Sequence, residues 1–219
     1  GGRRGDGKKA RRYGCPRSAG GLLRPVGALG RVDDDAHYDI PRRARAIVTD
    51  PASEPNDNQY AGGRCAASGT VRVVTTNYDL HLERRLNEHS DPPIEVFKAP
   101  AMPIGDSFEG LVYLHGSAAA APERLVVTDR DFSKAYFHAA WAARFLERMF
   151  SEYVVLFVGY SHTDVVMRYL GLGLGPRAER YVITDDPTDS NWERLRVTVL
   201  DYEPKQHHVL TQCLTEWAD

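Results

Sequence analysis

Short apolar runs alternate with amphipathic segments from Val71 to the end of the chain. The clearest run, residues 153–158, is uncharged and continuous, which is typical of a parallel strand buried on both faces. Repeated alternation of predicted strands and helices indicates an α/β fold with a mainly parallel sheet. The predicted strands are residues 71–76, 94–97, 111–114, 125–127, 153–158, 181–183 and 197–200.

One long helix is predicted after Thr128. Thr128 and Asp131 have the spacing of a capping box, in which each side chain bonds the backbone of the other residue. Apolar residues from Phe132 to Phe150 recur at alternating spacings of four and three, which places them on one face of a single helix. The other predicted helices are residues 79–89, 165–170, 191–195 and 206–217.

Residues 1–69 differ from the rest of the chain in charge and composition. Residues 1–45 carry 12 Lys and Arg against 5 Asp and Glu, a balance of +7, whereas the remainder has a balance of −9. Frequent Gly and Pro without periodicity predict an irregular segment at 1–69, with an isolated strand at 46–49, before a domain at 70–219. A basic arm can bind nucleic acid, but aromatic residues are few here, so we expect a solvated tail instead.

Several classes of protein are disfavoured by the sequence. The longest apolar run is far shorter than the roughly 20 residues of a membrane span, and the N-terminus does not resemble a signal peptide. The three cysteines, Cys15, Cys65 and Cys213, form no CxxC motif, which suits a reducing cytoplasm and predicts no zinc site. The pair His207 and His208 lacks further ligands at a suitable spacing. We therefore expect a cytoplasmic protein without a metal or a membrane partner.

Polar residues and glycines follow three of the predicted strands. In parallel sheets, ligands bind at the carboxyl ends of the strands, so these residues are the candidates for a binding site. They are Thr76, Asn77 and Asp79 after the first strand, His115 and Gly116 after the third, and Gly159, Tyr160 and Ser161 after the fifth.

Each junction has a chemical interpretation and a structural alternative. The Asn77 amide and the Asp79 carboxylate can hold ribose or water, but both residue types are also favoured helix caps. A histidine with a near-neutral pKa is the usual general base, yet His115 could also be a surface residue in a turn. Gly116 permits close approach of a ligand or of another backbone. Ser161 and nearby helix amides can hold phosphate or ribose oxygens.

Four motifs in order resemble one family. They are residues 73–79, 113–117, 125–129 and 155–164, and they are similar to the prokaryotic SIR2-like domain, the sirtuin-related branch found in bacterial antiphage defence proteins. The resemblance extends from Val71 to Trp217. It implies a Rossmann-like, three-layer fold that binds NAD as its substrate, and the usual activity in defence proteins is hydrolysis of the nicotinamide–ribose bond.

The resemblance also implies roles for individual residues. Asn77 would orient the water or the ribose near the reacting carbon, and His115 would be the general base acting through the ribose hydroxyls. Asp79 would lie beside the nicotinamide pocket. The remaining candidates are assigned to NAD binding: Thr76, Gly116, Gly159, Tyr160 and Ser161.

Two departures from the family pattern leave alternatives open. The paired CxxC motifs of zinc-bearing sirtuin deacylases are absent, which disfavours an NAD-dependent protein deacylase and predicts no zinc. The glycine loop that cradles the pyrophosphate is not recognisable, so we expect a domain that is truncated or atypical at its N-terminus. An inactive nucleotide-binding or interaction module is therefore the main alternative. The expected partners are NAD and further domains or subunits of a larger defence protein, and a homo-oligomer is a further option.

Overall fold

The computed structural model describes residues 34–67, 69–105, 107–159, 179–189, 192–193 and 195–219. Within these ranges the chain forms two three-stranded sheets and six α-helices. Every ladder between the described strands is parallel, as the alternating sequence predicts. The mixed α/β class and the Rossmann-like arrangement are therefore confirmed.

The first sheet holds β1 (Arg72–Thr75), β2 (Val96–Lys98) and β3 (Gly110–Tyr113), in the order β1-β3-β2. Thr75 and Lys98 both lie opposite Tyr113 in the ladders. The carboxyl ends of all three strands thus meet at one edge of the sheet. The central strand, β3, is buried along its whole length, as its apolar sequence predicts.

The second sheet holds β4 (Val155–Val158), β5 (Arg180–Thr184) and β6 (Thr198–Asp201), in the order β4-β5-β6. The prediction that β4 is buried on both faces is wrong. Leu156 and Val158 are 38 % and 42 % exposed, while Val155 and Phe157 pack against the core. The physical reason is that, among the described residues, β4 packs only one of its faces against the core.

The single long helix predicted after Thr128 is also wrong. The capping box forms, but α4 (Asp129–Ser133) passes into a π-helical turn at Lys134–His138, and α5 (Trp141–Glu152) follows. Ala140, between the turn and α5, has a left-handed backbone with φ 51°. The alternating spacing of four and three cannot reveal this break, because both helical pieces still face the same core.

One core joins the two sheets. Its buried centre lies between β3 and α5, and partly buried side chains from both sheets pack against it. Val74 contributes from β1, whereas Val155 and Phe157 contribute from β4. The two remaining helices after β1 are α3 (His81–Asn87) and, at the C-terminus, α6 (His207–Ala218).

The prediction of an irregular segment before residue 70 is wrong for its described half. Residues Asp34–Val48 form α1 and Asp57–Ala67 form α2, and the strand predicted at 46–49 is the end of α1 and a turn. Pro41 lies inside α1 and is buried, so tertiary packing overrides its helix-breaking tendency.

The helix α2 is packed between two later helices. Ala61 belongs to a buried cluster with Leu210 and Leu214 of α6, and Thr211 Oγ1 donates a hydrogen bond to Asn58 Oδ1 at 2.7 Å. These contacts are remote in sequence, which is why local periodicity did not predict the helix. No helix in the described part of the chain is long and apolar enough to span a bilayer.

Two predictions lie outside the described residues. The helix predicted at 165–170 falls wholly outside them, as does the segment before Asp34. Of the helix predicted at 191–195, residues 192–193 are helical.

Candidate functional site

The carboxyl edge of the first sheet brings the first two predicted junctions together. Leu114 N donates to Thr75 O at 2.9 Å, which continues the ladder between β1 and β3 by one residue. Beyond it, Ala118 N donates to Tyr78 O at 2.7 Å. The loop that carries Asn77 therefore lies beside the loop that carries His115.

A third segment, residues 125–127, lies along the same edge. Val126 N donates to His115 O at 2.9 Å, and the Tyr78 hydroxyl donates to Val126 O at 2.6 Å. Residues 125–127 were predicted as a strand, and they are buried and extended alongside His115 without forming one. Three of the four family-like motifs thus converge on one place in the fold.

Asn77 is exposed at this edge. Its backbone N donates to Thr75 Oγ1 at 3.1 Å, so a side-chain bond fixes the turn that follows β1. Thr76 is half-buried beside it. The Asn77 amide is accordingly available to a ligand that approaches the sheet edge from solvent.

Asp79 stabilises the start of α3, but it is not the N-cap, which is Leu80. Its Oδ1 accepts from His81 N at 3.1 Å, at the start of α3, and from Gln59 Nε2 of α2 at 3.2 Å. Its carbonyl accepts a bond of 3.1 Å from the Tyr113 hydroxyl. Asp79 is therefore hydrogen-bonded to α2, α3 and β3 at the carboxyl edge of the first sheet.

His115 is wholly buried, so it is not the surface residue that the alternative allowed. Its Nε2 lies 2.8 Å from the Tyr136 hydroxyl. The rings of Phe132 and Tyr136 meet the imidazole edge-on, with centroids at 5.0 and 6.0 Å. The imidazole is thus fixed both by one hydrogen bond and by two aromatic faces.

The enclosure changes the acid–base character of His115. Burial lowers the pKa of His115 to about 4, because the charged imidazolium is poorly solvated there. The near-neutral pKa expected of a general base is therefore wrong for the protein without ligand. His115 is neutral at pH 7, and its Nδ1 has no hydrogen-bond partner among the described residues.

Gly116 and Gly159 both have a positive φ, a backbone conformation that favours glycine. Gly116 has φ +90°, and a Cβ there would lie 2.8 Å from Arg124 O. The close approach that Gly116 permits is therefore that of another backbone. Gly159 has φ +65°, but a Cβ there would meet nothing within 4 Å. Among the described residues, nothing fills the space at Gly159, whereas Arg124 fills it at Gly116.

Three residues at this edge were missed by sequence reasoning. Arg45 Nε donates to Ala118 O at 2.8 Å, and Gln59 holds Asp79. Neither carries a local signal, since each reaches the edge through the packing of α1 or α2. Tyr136 was assigned to the apolar stripe, and its hydroxyl, which a core position does not need, was the signal that could have found it.

Among the described residues, no group of three or more His, Cys, Asp or Glu is placed to hold a metal ion. Within the described ranges, neither Cys65 nor Cys213 forms a disulfide. Tyr160 and Ser161, the two predicted NAD-binding residues after Gly159, lie outside the described residues.

A model of the SIR2-like domain family matches residues 71–196, which is more than half of the chain. The chain belongs to the SIR2-like domain family. SIR2-like domains bind NAD, so membership fits a nucleotide-binding, NAD-related module. The matched range includes all three converging segments, whereas α1 and α2 lie before it.

One curated protein is also similar to this SIR2-like chain. It is the "Uncharacterized protein y4cA" of Sinorhizobium fredii (strain NBRC 101917 / NGR234), with 28 % identity over 159 residues. The aligned region covers 63 % of this chain and 13 % of that protein. The chain therefore spans a small part of the length of this relative.

The edge of the first sheet offers chemistry that suits an NAD-related ligand. Asn77 is exposed, and its loop is hydrogen-bonded to the loop that carries His115. The Nδ1 atom of His115 is buried and has no hydrogen-bond partner among the described residues. An amide can hold a ribose hydroxyl or a water molecule, and a bare imidazole nitrogen can accept a hydrogen bond from either.

Proposed function

We propose that this SIR2-like chain hydrolyses NAD at the bond between nicotinamide and ribose. The observation that carries the proposal is the parallel pairing of β1 with β3, which places the loops of Asn77 and His115 side by side. Family membership supplies the ligand class. Asp79, Thr76 and Gly159 are proposed to contribute to the NAD site around these loops, and Gly116 to the backbone turn that holds His115 beside them.

The proposed chemistry needs a positioned water and a base. When the glycosidic bond breaks, its electron pair leaves on the nicotinamide nitrogen and the ribose carbon becomes electron-poor. Water then forms the new bond to that carbon and loses one proton. Asn77 is proposed to hold the water or the ribose, and His115 to accept the proton through the ribose hydroxyls, with Nδ1 as its available atom.

We also propose that the domain is the effector module of a larger antiphage defence protein, working with other domains or subunits. The support is the resemblance of the motifs to that branch of the family. A relative in which the aligned region is 13 % of the length is in keeping with a module of a larger protein.

One observation favours a second function, namely binding of NAD without hydrolysis. His115 is enclosed, and burial lowers its pKa to about 4, so it is a weak base until a ligand changes its surroundings. An NAD-binding module would need Asn77 and the backbone of this edge but no proton transfer.

The test compares the native sequence with Asn77→Ala and His115→Ala by nicotinamide release and by calorimetric NAD binding. Loss of a general base or of a positioned water costs roughly a hundredfold to ten-thousandfold in rate. His208→Ala is the matched control, because His208 is exposed on α6, away from the edge. Its turnover is expected to equal that of the native sequence.

The outcomes separate the two functions. Turnover that is lost in both site variants and kept in the control supports hydrolysis. Binding of NAD without turnover in any variant supports the binding module and contradicts the hydrolase. Absence of both binding and turnover contradicts both functions.

A further inference from the structure

An aromatic slot holds the imidazole of His115. Phe132 and Tyr136 stack on one another with an interplanar angle of 12° and centroids 5.9 Å apart. Both rings stand at more than 70° to the imidazole, so they restrict its rotation about the side-chain bonds. Tyr136 itself is buried within the π-helical turn, a conformation that occurs frequently at functional sites.

The hydrogen bond to Tyr136 leaves two ways to place the proton of neutral His115. If the tyrosine hydroxyl donates to Nε2, the proton sits on Nδ1 and forms a buried N–H for which the described residues supply no acceptor. If Nε2–H donates to the tyrosine oxygen, Nδ1 is a bare acceptor. A buried N–H without a partner is rarer and costlier than a buried acceptor without one, so the second arrangement is favoured.

We infer that Tyr136 is a positioning residue: its oxygen accepts Nε2–H of His115, fixes that tautomer, and leaves Nδ1 as the atom that takes the proton during hydrolysis. The catalytic consequence rests on the proposed function, whereas the tautomer does not. After proton transfer to Nδ1, the imidazolium would still donate from Nε2 to Tyr136. That bond stabilises the charged form in a site where water is excluded.

The geometry also excludes the other ring nitrogen as the base. Nε2 faces the Tyr136 hydroxyl at 2.8 Å, and the atom is enclosed with the rest of the side chain. Nε2 is committed to Tyr136, so Nδ1, which is also buried, is the ring nitrogen whose lone pair is left for a substrate hydroxyl. Tyr136 decides which nitrogen is chemically useful without touching the substrate.

The first measurement is nitrogen-15 NMR of the imidazole in the native sequence, which distinguishes an N–H nitrogen from a bare one. His115 is one of eight histidines, so its resonances are assigned by their loss in His115→Gln. The expected result is a proton on Nε2. A proton on Nδ1 overturns the inference, and the measurement needs no variant of Tyr136 and no NAD.

The second measurement is the same spectrum, with NAD hydrolysis, for Tyr136→Phe. The ring is kept, so the slot stays filled while the acceptor for Nε2–H is lost. We expect a mixture of tautomers, and a kcat about tenfold to a hundredfold lower, the range for a lost hydrogen bond to a charged group. KM is expected to change little, because Tyr136 acts through His115. Unchanged tautomer and kcat overturn the inference.

Tyr202 provides a matched control for removal of the Tyr136 hydroxyl. The Tyr202 hydroxyl lies 3.0 Å from Nδ1 of His207, and the two rings meet edge-on with centroids at 6.0 Å, but His207 is exposed. Tyr202→Phe is expected to change neither the His115 resonances nor kcat. If it lowers kcat as much as Tyr136→Phe does, the effect is not specific to the slot and the inference is wrong. A native sequence that does not hydrolyse NAD contradicts the proposed function, while the tautomer still decides the role of Tyr136.

Discussion

The junction after β3 and the junction after β4 look alike in sequence and differ in structure. Each ends a parallel strand with a glycine of positive φ, +90° at Gly116 and +65° at Gly159. The residue before Gly116, His115, is fully buried, whereas Val158 before Gly159 is 42 % exposed. A backbone carbonyl closes the space at Gly116, whereas no described residue lies within 4 Å of a Cβ placed on Gly159.

The difference shows that a glycine after a strand does not by itself indicate a ligand. At the β3 junction the chain's own backbone fills the position that a ligand would take. At the β4 junction the glycine serves the backbone conformation alone, and the neighbouring space is free among the described residues. The two junctions can therefore be separated by measurements of stability and of binding.

The largest effect is expected from Gly116→Ala. The new Cβ would lie 2.8 Å from Arg124 O, and the backbone would be held in the left-handed region. Strain and overpacking together predict a loss of about 3–4 kcal/mol in the free energy of unfolding. Urea denaturation measures it. A loss below about 1 kcal/mol would mean that the junction yields easily and that the comparison is wrong.

A change in pH is expected to have a smaller effect on the free energy of unfolding, because the pKa of His115 differs between the folded and the unfolded chain. Its pKa is about 4 when folded and ordinarily 6.5, so between these values the unfolded chain binds a proton that the folded chain does not. Stability therefore falls as pH falls from 6.5 to about 4, by about 3 kcal/mol, and this contribution is constant below that range.

The control for the pH effect is His115→Gln, which cannot titrate. Its free energy of unfolding is expected to fall less steeply over the same window, and the two slopes are compared by denaturation at several pH values. Equal slopes would show that His115 is solvated as readily as a surface histidine.

The smallest effect is expected from Gly159→Ala. The new side chain meets none of the described residues, so the left-handed backbone is the opposing factor, at about 1–2 kcal/mol. Gly62→Ala is a matched control: its Cβ also meets nothing, and it lies inside α2, where alanine is favoured. We expect the control to be neutral or stabilising by denaturation. A Gly159→Ala loss equal to that of Gly116→Ala would remove the distinction between the junctions.

The fold could be predicted where local sequence and packing agree. The β1 and β3 segments are apolar, short and followed by turn residues, and both strands form close to the predicted positions. The break between α4 and α5 could not be predicted, because Ala140 carries no glycine-like signal for its left-handed backbone. The helix α1 contains Pro41 and is stabilised by contacts far along the chain, so its own sequence argues against it.

The sequence could predict where in the fold the candidate site lies, but not the burial or the pKa of His115 there. Parallel pairing follows from the strand pattern, and it brings the loops of Asn77 and His115 together. The enclosure of His115 depends on Phe132 of α4 and on Tyr136 of the π-helical turn that follows it. Burial, and with it the low pKa, is a property of that tertiary arrangement.

The two N-terminal helices have a consequence for where the domain begins. The family match starts at residue 71, yet Arg45 of α1 bonds Ala118 O and Gln59 of α2 bonds Asp79, both inside the match. Ala61 also covers Leu210 and Leu214. The range that the family match covers is thus shorter than the range of residues that pack together, and a polypeptide cut at the family boundary would keep every recognisable motif while losing part of the scaffold that aligns them.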